Sequence, residues 1–212
     1  LALAGMFPTT NTRDIKPDEK PAVLPLVDCN CSITQGGLTY PISALLGNES
    51  ATAFYSYGTP LISSANTGLE LSNGLILFLY QDLNTNLVSL FLIADVGNSG
   101  SGGSMQFETN CLPSTAFVSV QDDPGEFSGG PPSITGNWSW TSCCTDGGVI
   151  EDIGCSNTIN LDLLVASGLD SIVWLTGDMT NPTHILLSMS GEAITINCGG
   201  GICCPIGFDT DI

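Results

Sequence analysis

From Ser32 onward the chain breaks into short runs of Val, Ile, Thr, Phe, Tyr and Trp, punctuated by Gly, Asn, Asp, Ser and Pro. This punctuation constrains the fold more than any other feature. A helix needs an apolar period of 3.6 sustained over several turns, and no stretch keeps one together with its caps. Many β-prone runs at roughly 8–12-residue spacing instead predict an all-β chain, a β-sandwich or jelly roll. Strands are expected near 38–46, 51–57, 59–63, 68–72, 74–81, 86–96, 104–109, 114–121, 134–142, 148–153, 158–166, 170–177, 183–190 and 192–198.

Several pairings follow from the turns. Gln81-Asp82-Leu83-Asn84-Thr85 interrupts the longest apolar stretch and reads as a hairpin turn. No apolar run reaches the roughly 18–20 residues needed to span a bilayer. Ser167-Gly168 and Gly191-Glu192 predict two further hairpins, 158–166 with 170–177 and 183–190 with 192–198. In 134–142, Ile134, Gly136, Trp138 and Trp140 fall on one strand face. That pair of indoles is either a sugar-stacking platform or core filling. The turn-rich stretch Gln121–Pro132 is a candidate subdivision, near 122–133. Without an internal repeat, one elaborated sandwich over 28–212 is the expectation.

Nine cysteines add a covalent constraint: Cys29, Cys31, Cys111, Cys143, Cys144, Cys155, Cys198, Cys203 and Cys204. Zinc sites want C-x₂₋₄-C pairs or histidine partners. This chain has one C-x-C, two adjacent C-C pairs and a single histidine, His184. Disulfides in an oxidising, extracellular or cell-surface setting are therefore expected. Strain in a vicinal ring predicts that Cys143 and Cys144 reach different partners, as do Cys203 and Cys204. The odd count leaves one thiol free or joined to another chain, and the Gly-rich tail at Cys203-Cys204 is a candidate for that bridge.

Charge is segregated along the chain. All three basic residues, Arg13, Lys16 and Lys20, precede position 21. Asp14, Asp18 and Glu19 balance them, so the entire net charge of −18 sits on the remainder. An anionic body excludes nucleic acid, which demands a basic surface, and works against anionic membranes. Residues 1–27 read as an extended arm. Pro17, Pro21 and Pro25 preclude a regular helix. The apolar tip, with Leu1, Leu3, Met6 and Phe7, wants burial on its own domain or a neighbour. The small apolar start Leu1–Gly5 reads as a mature end left after processing.

Chemistry-bearing patterns are sparse. No G-x-S-x-G elbow occurs, His184 sits in a strand pattern, and no carboxylate pair is singled out, so catalysis is not expected. Calcium favours clustered carboxylates in turns. Asp122, Asp123 and Glu126 form one such group, and Asp146, Glu151 and Asp152 another. Sequons occur at Asn30, Asn48 and Asn137, with Asn48 and Asn137 the better glycan acceptors. These readings point to a structural subunit of an extracellular fibre, pilus-like appendage or surface layer. Its copies would join through the arm and an inter-chain disulfide. The alternative is a monomeric secreted binding module, lectin-like, using calcium or the Trp pair to hold a glycan.

Overall fold

The computed structural model describes residues 29–61, 63–97 and 101–199. Arm residues Leu1, Leu3, Met6, Phe7, Arg13, Lys16 and Lys20 lie outside them, as do Cys203 and Cys204. Within them the chain is all-β, with fourteen strands and one short helix. In chain order these are β1 (Cys31–Gln35), β2 (Leu38–Ile42), β3 (Leu45–Gly47), α1 (Ala51–Tyr55), β4 (Gly74–Asp82), β5 (Val88–Ala94), β6 (Gly103–Asn110) and β7 (Phe117–Gln121). There follow β8 (Phe127–Gly130), β9 (Ser133–Trp140), β10 (Asp146–Glu151), β11 (Thr158–Ser167), β12 (Ser171–Asp178), β13 (Asn181–Leu187) and β14 (Ile194–Cys198).

Two sheets stack as a sandwich. The first runs β2-β1-β14-β11-β6-β9-β8, the second β13-β12-β4-β5-β10-β7, with β3 pairing β4 alongside. Their facing residues make one core, including Ile33, Leu77, Leu92, Phe107, Trp138, Leu161, Trp174 and Ile196. Between 121 and 132 lie the β7–β8 turn and β8 itself. Both sheets draw strands from either side of that segment. Among the described residues, no helix is long and apolar enough to cross a membrane.

The run Gly74–Tyr80 is apolar at nearly every position because β4 is covered on both faces, as continuous apolar strands usually are. Leu75, Leu77 and Leu79 face the first sheet. Ile76, Phe78 and Tyr80 face outward into a second cluster with Leu45, Ala51, Tyr55 and Ala65. Residues 51–61 and 63–73 form that outer cover, and among these described residues the expected strands 51–57, 59–63 and 68–72 are absent. Ser50 accepts from Ala53 N at 3.2 Å and caps a helical turn, which Ser56 ends in the left-handed region. The cap and the burial of Tyr55 outweigh the strand preference of Thr52, Phe54 and Tyr55. Side chains satisfy the backbone further on. Asn66 Nδ2 donates to the carbonyls of Ser56, Leu61 and Ser64, and the Glu70 carboxylate accepts from Thr67 N and Gly68 N. Loop backbone held this way has no need of a sheet partner.

The hairpin expected around Gln81–Thr85 is present, β4 pairing antiparallel with β5. The two later hairpins are not. β11 pairs β14 and β6, whereas β12 pairs β13 and, in parallel, β4. Ser167-Gly168 and Gly191-Glu192 are therefore corners at which the chain changes sheet. Turn chemistry marks a reversal but does not specify which strand will lie alongside. Three disulfides join described cysteines, Cys29–Cys155, Cys31–Cys198 and Cys143–Cys144, and Cys111 is disulfide-bonded as well. Cys31 and Cys198 are register partners of β1 and β14. Cys143 and Cys144 bond to each other, contrary to the expectation of separate partners. They sit in a tight turn closed by Cys144 N donating to Thr141 O at 3.0 Å.

Candidate functional site

The sheets meet differently along the two sides of the sandwich. On one side Gln35 of β1 links the sheets beside a cleft of about 220 Å³. Its Nε2 donates to the carbonyls of Ser188 and Glu192, and its Oε1 accepts from Ser188 N at 2.7 Å. Nearby, Ser43 N donates to Thr176 Oγ1 at 2.7 Å. On the other side β7 and β8, the last strands of their respective sheets, run side by side. Among the described residues β7 pairs only with β10, and β8 only with β9. Each therefore turns one backbone edge to the gap between them.

That gap is a groove of about 400 Å³ lined by residues that include Ala116, Val118, Phe127, Gly129, Gly130 and Ile134. The local sequence keeps it open. Phe127-Ser128-Gly129-Gly130 pairs as a strand yet carries almost no side-chain bulk at its end. Gly129 adopts φ 87°, where a side chain would be strained, and a Cβ on Gly130 would meet nothing within 4 Å. At the turn end the Phe127 ring packs over Gly148 of β10, 2.5 Å from where a Cβ would stand. The same ring meets Phe107 and Trp138 edge-on, at centroid distances of 5.8 and 5.7 Å. Phe117 on the rim is 48% exposed, and Ser119 Oγ is buried without a hydrogen-bond partner.

The turn that joins β7 to β8 is acidic, and although Asp123, Pro124 and Gly125 are exposed, its Asp122 is buried beside Asp146 of β10. Asp122 and Asp146 are 6% and 2% exposed. Both line a cleft of about 210 Å³ with Ser139, Trp140 and Thr145. Asp146 Oδ2 accepts from Ser139 N at 2.8 Å, and Glu126 Oε2 accepts from Asp123 N at 2.8 Å. The Tyr55 hydroxyl approaches Asp122, and Glu126 approaches Asp146. Even so, Tyr55 Oη, Asp122 Oδ1 and Asp146 Oδ1 complete no hydrogen bond. Burial, reinforced by neighbouring carboxylates, pushes Asp122 up to about 7 and Asp146 up to about 8. Glu126 is raised by burial, and Tyr55 lies well above its usual value, first through burial and then through Asp122. No Lys or Arg follows position 20, so the body itself supplies no cation to neutralise these acids. Protons take that role, and burial stabilises the protonated form.

The expected carboxylate groups are thus redistributed. Asp122, Glu126 and Asp146 come together across the β7–β8 and β9–β10 turns, while Asp123 is exposed beside them. Glu151 and Asp152 belong to the far end of β10, about 17 Å along a six-residue strand from Asp146. Among the described residues, no group of three His, Cys, Asp or Glu is arranged to hold a metal ion. Trp138 and Trp140 are 1% and 5% exposed, so they fill the core and offer no sugar platform. His184 is an exposed residue of edge strand β13. Asn48 and Asn137 are both exposed, Asn137 with its Oδ1 accepting from Gln106 Nε2 at 3.1 Å. Sequence reasoning missed Tyr55 and β8. Tyr55 reaches Asp122 only through tertiary packing, and the glycines of β8 disguise a strand as a loop.

No family model matches this chain, and neither a curated protein nor a solved structure does.

Proposed function

We propose that the chain is a structural subunit of an extracellular assembly, a fibre, pilus-like appendage or surface layer, whose copies join through the leading arm. The observation that carries this reading is charge segregation. The only cations, Arg13, Lys16 and Lys20, lie in the arm, and residues 21–212 carry the whole net charge of −18. The arm is neutral overall, so it escapes the repulsion between two anionic bodies, and its cations can pair with carboxylates of another copy, which makes association directional.

Two structural features support the reading. Disulfides staple the body, as suits an oxidising compartment. The side of the sandwich along β7 and β8 has two edges without strand partners among the described residues, the feature that most proteins hide. The inter-subunit disulfide of this proposal belongs to Cys203 or Cys204, since Cys111 and six further cysteines are already bonded.

Sedimentation velocity on the full chain tests the proposal. Concentration-dependent assembly is expected at low salt. It should weaken steeply toward 1 M salt, where the screening length falls to about 3 Å. Reversing the arm charges (Arg13→Glu, Lys16→Glu, Lys20→Glu) should abolish it. A chain that stays monomeric at every concentration and ionic strength would refute the reading.

A further inference from the structure

The four outermost strands of the two sheets are not equally open to pairing. β2 carries Pro41 and β13 carries Pro182. Proline on an edge strand blocks addition of another strand, because it has no N–H to give. β7 and β8 contain no proline, lie beside each other, and share an apolar-floored groove. Two further guards against edge pairing are missing from β8, which has no charged side chain and no covering segment among the described residues, and Gly129-Gly130 leave the backbone accessible.

We propose that this groove receives residues Leu1–Phe7 from a second copy of the chain, added as a strand along β8 or β7. The inference rests on the assembly reading above and names its acceptor. Leu1–Phe7 is the one apolar stretch of the arm free of proline, since Pro25 interrupts Ala22–Val27. As a strand it alternates, with Leu1, Leu3 and Phe7 on one face and Ala2, Ala4 and Met6 on the other. The five-residue β7 can pair with five of its seven residues. Backbone pairing supplies affinity in this mode, and alternate side chains entering the groove supply specificity.

Charge and reach favour the same occupant. Both ends of the groove are acidic. Asp123 and Glu126 stand at the β7–β8 turn, and Glu151, the register partner of Phe117, stands at the other end. Arg13, Lys16 and Lys20 follow the proposed strand and meet carboxylates in either orientation. Residues 8–28 span roughly 65 Å if extended. Seven strands at about 4.8 Å spacing make a sheet roughly 30 Å wide. The extended stretch is long enough for the strand to reach the groove of a second copy.

The test plugs the groove without disturbing the body. A side chain at Gly130 has open space around it, so Gly130→Trp should leave the thermal midpoint of the monomer unchanged. It should raise the dissociation constant for assembly at least tenfold in sedimentation velocity. Leu186→Lys, on edge β13, should leave assembly as in the unaltered chain. Hydrogen exchange on the unaltered chain provides an independent readout, in which β7 and β8 amides gain protection on assembly. Normal assembly of Gly130→Trp, or protection gained only at β2 and β13, would overturn the groove as acceptor. If arm charge reversal still dissolved that assembly, the broader reading would stand. An unaltered chain that never associates would overturn both.

Discussion

β4 and the β7–β8 pair belong to one sandwich and live under opposite conditions. β4 is flanked by β5 and β12, is joined by β3 beyond them, and is buried at all nine positions. β7 and β8 are each paired on one side only, and β8 is exposed at three of its four positions. The difference shows where this protein invests its apolar side chains. Its strongest hydrophobic stretch serves the middle of a sheet covered on both faces. On the side where the strands end, β8 reads Phe127-Ser128-Gly129-Gly130 and β7 Phe117-Val118-Ser119-Val120-Gln121, and the Phe127 ring packs over Gly148.

The contrast can be broken most directly by truncation. Phe78→Ala, in the stack with Phe91 at 4.7 Å, should cost about 3–5 kcal/mol in urea unfolding with disulfides intact. Val118→Ala on half-buried β7 should cost about 1 kcal/mol or less. Equal losses would mean that the β7–β8 side is as tightly packed as the centre. Next in size is the covalent comparison. Replacing Cys31 and Cys198, 167 residues apart in sequence, by Ser should cost about 2–5 kcal/mol. The same change at Cys143 and Cys144, adjacent in sequence, should cost well under about 1 kcal/mol, because that bridge closes almost no chain.

A smaller effect should appear in pH dependence. Asp122 and Asp146 hold protons in the folded chain up to about 7 and 8, while the unfolded chain loses them near 3.8. Between those values the folded state binds more protons than the unfolded state, so stability falls as pH rises from about 4 to 8 and levels off above. Asp122→Asn and Asp146→Asn should each flatten that slope in thermal scans. A slope unchanged by either would place the titration elsewhere. Least affected should be Leu186→Lys on exposed β13, within about 0.5 kcal/mol of the parent. A larger loss would show that the proline-bearing edge is better packed than the proline-free one.

Much of the architecture was legible in the residues. The punctuated β-runs announced an all-β sandwich, the alternation Ile134, Gly136, Trp138, Trp140 marked the buried face of β9, and Gln81–Thr85 marked the turn between β4 and β5. These are local signals, in which a residue's own backbone preference and the period of two carry the information. The sequence by itself also determined the separation of charge and the number of thiols, because composition does not depend on the fold.

Only the tertiary structure decided which strands became neighbours. Ser167-Gly168 and Gly191-Glu192 turn the chain, but burial of both faces of the sheet selects the partner, and that is a sum over residues far apart. The same holds for the acidic pocket. Asp122, Glu126, Asp146 and Tyr55 are dispersed across three segments, and their raised proton affinities arise from shared burial without a cation. No one of those residues carries that property alone.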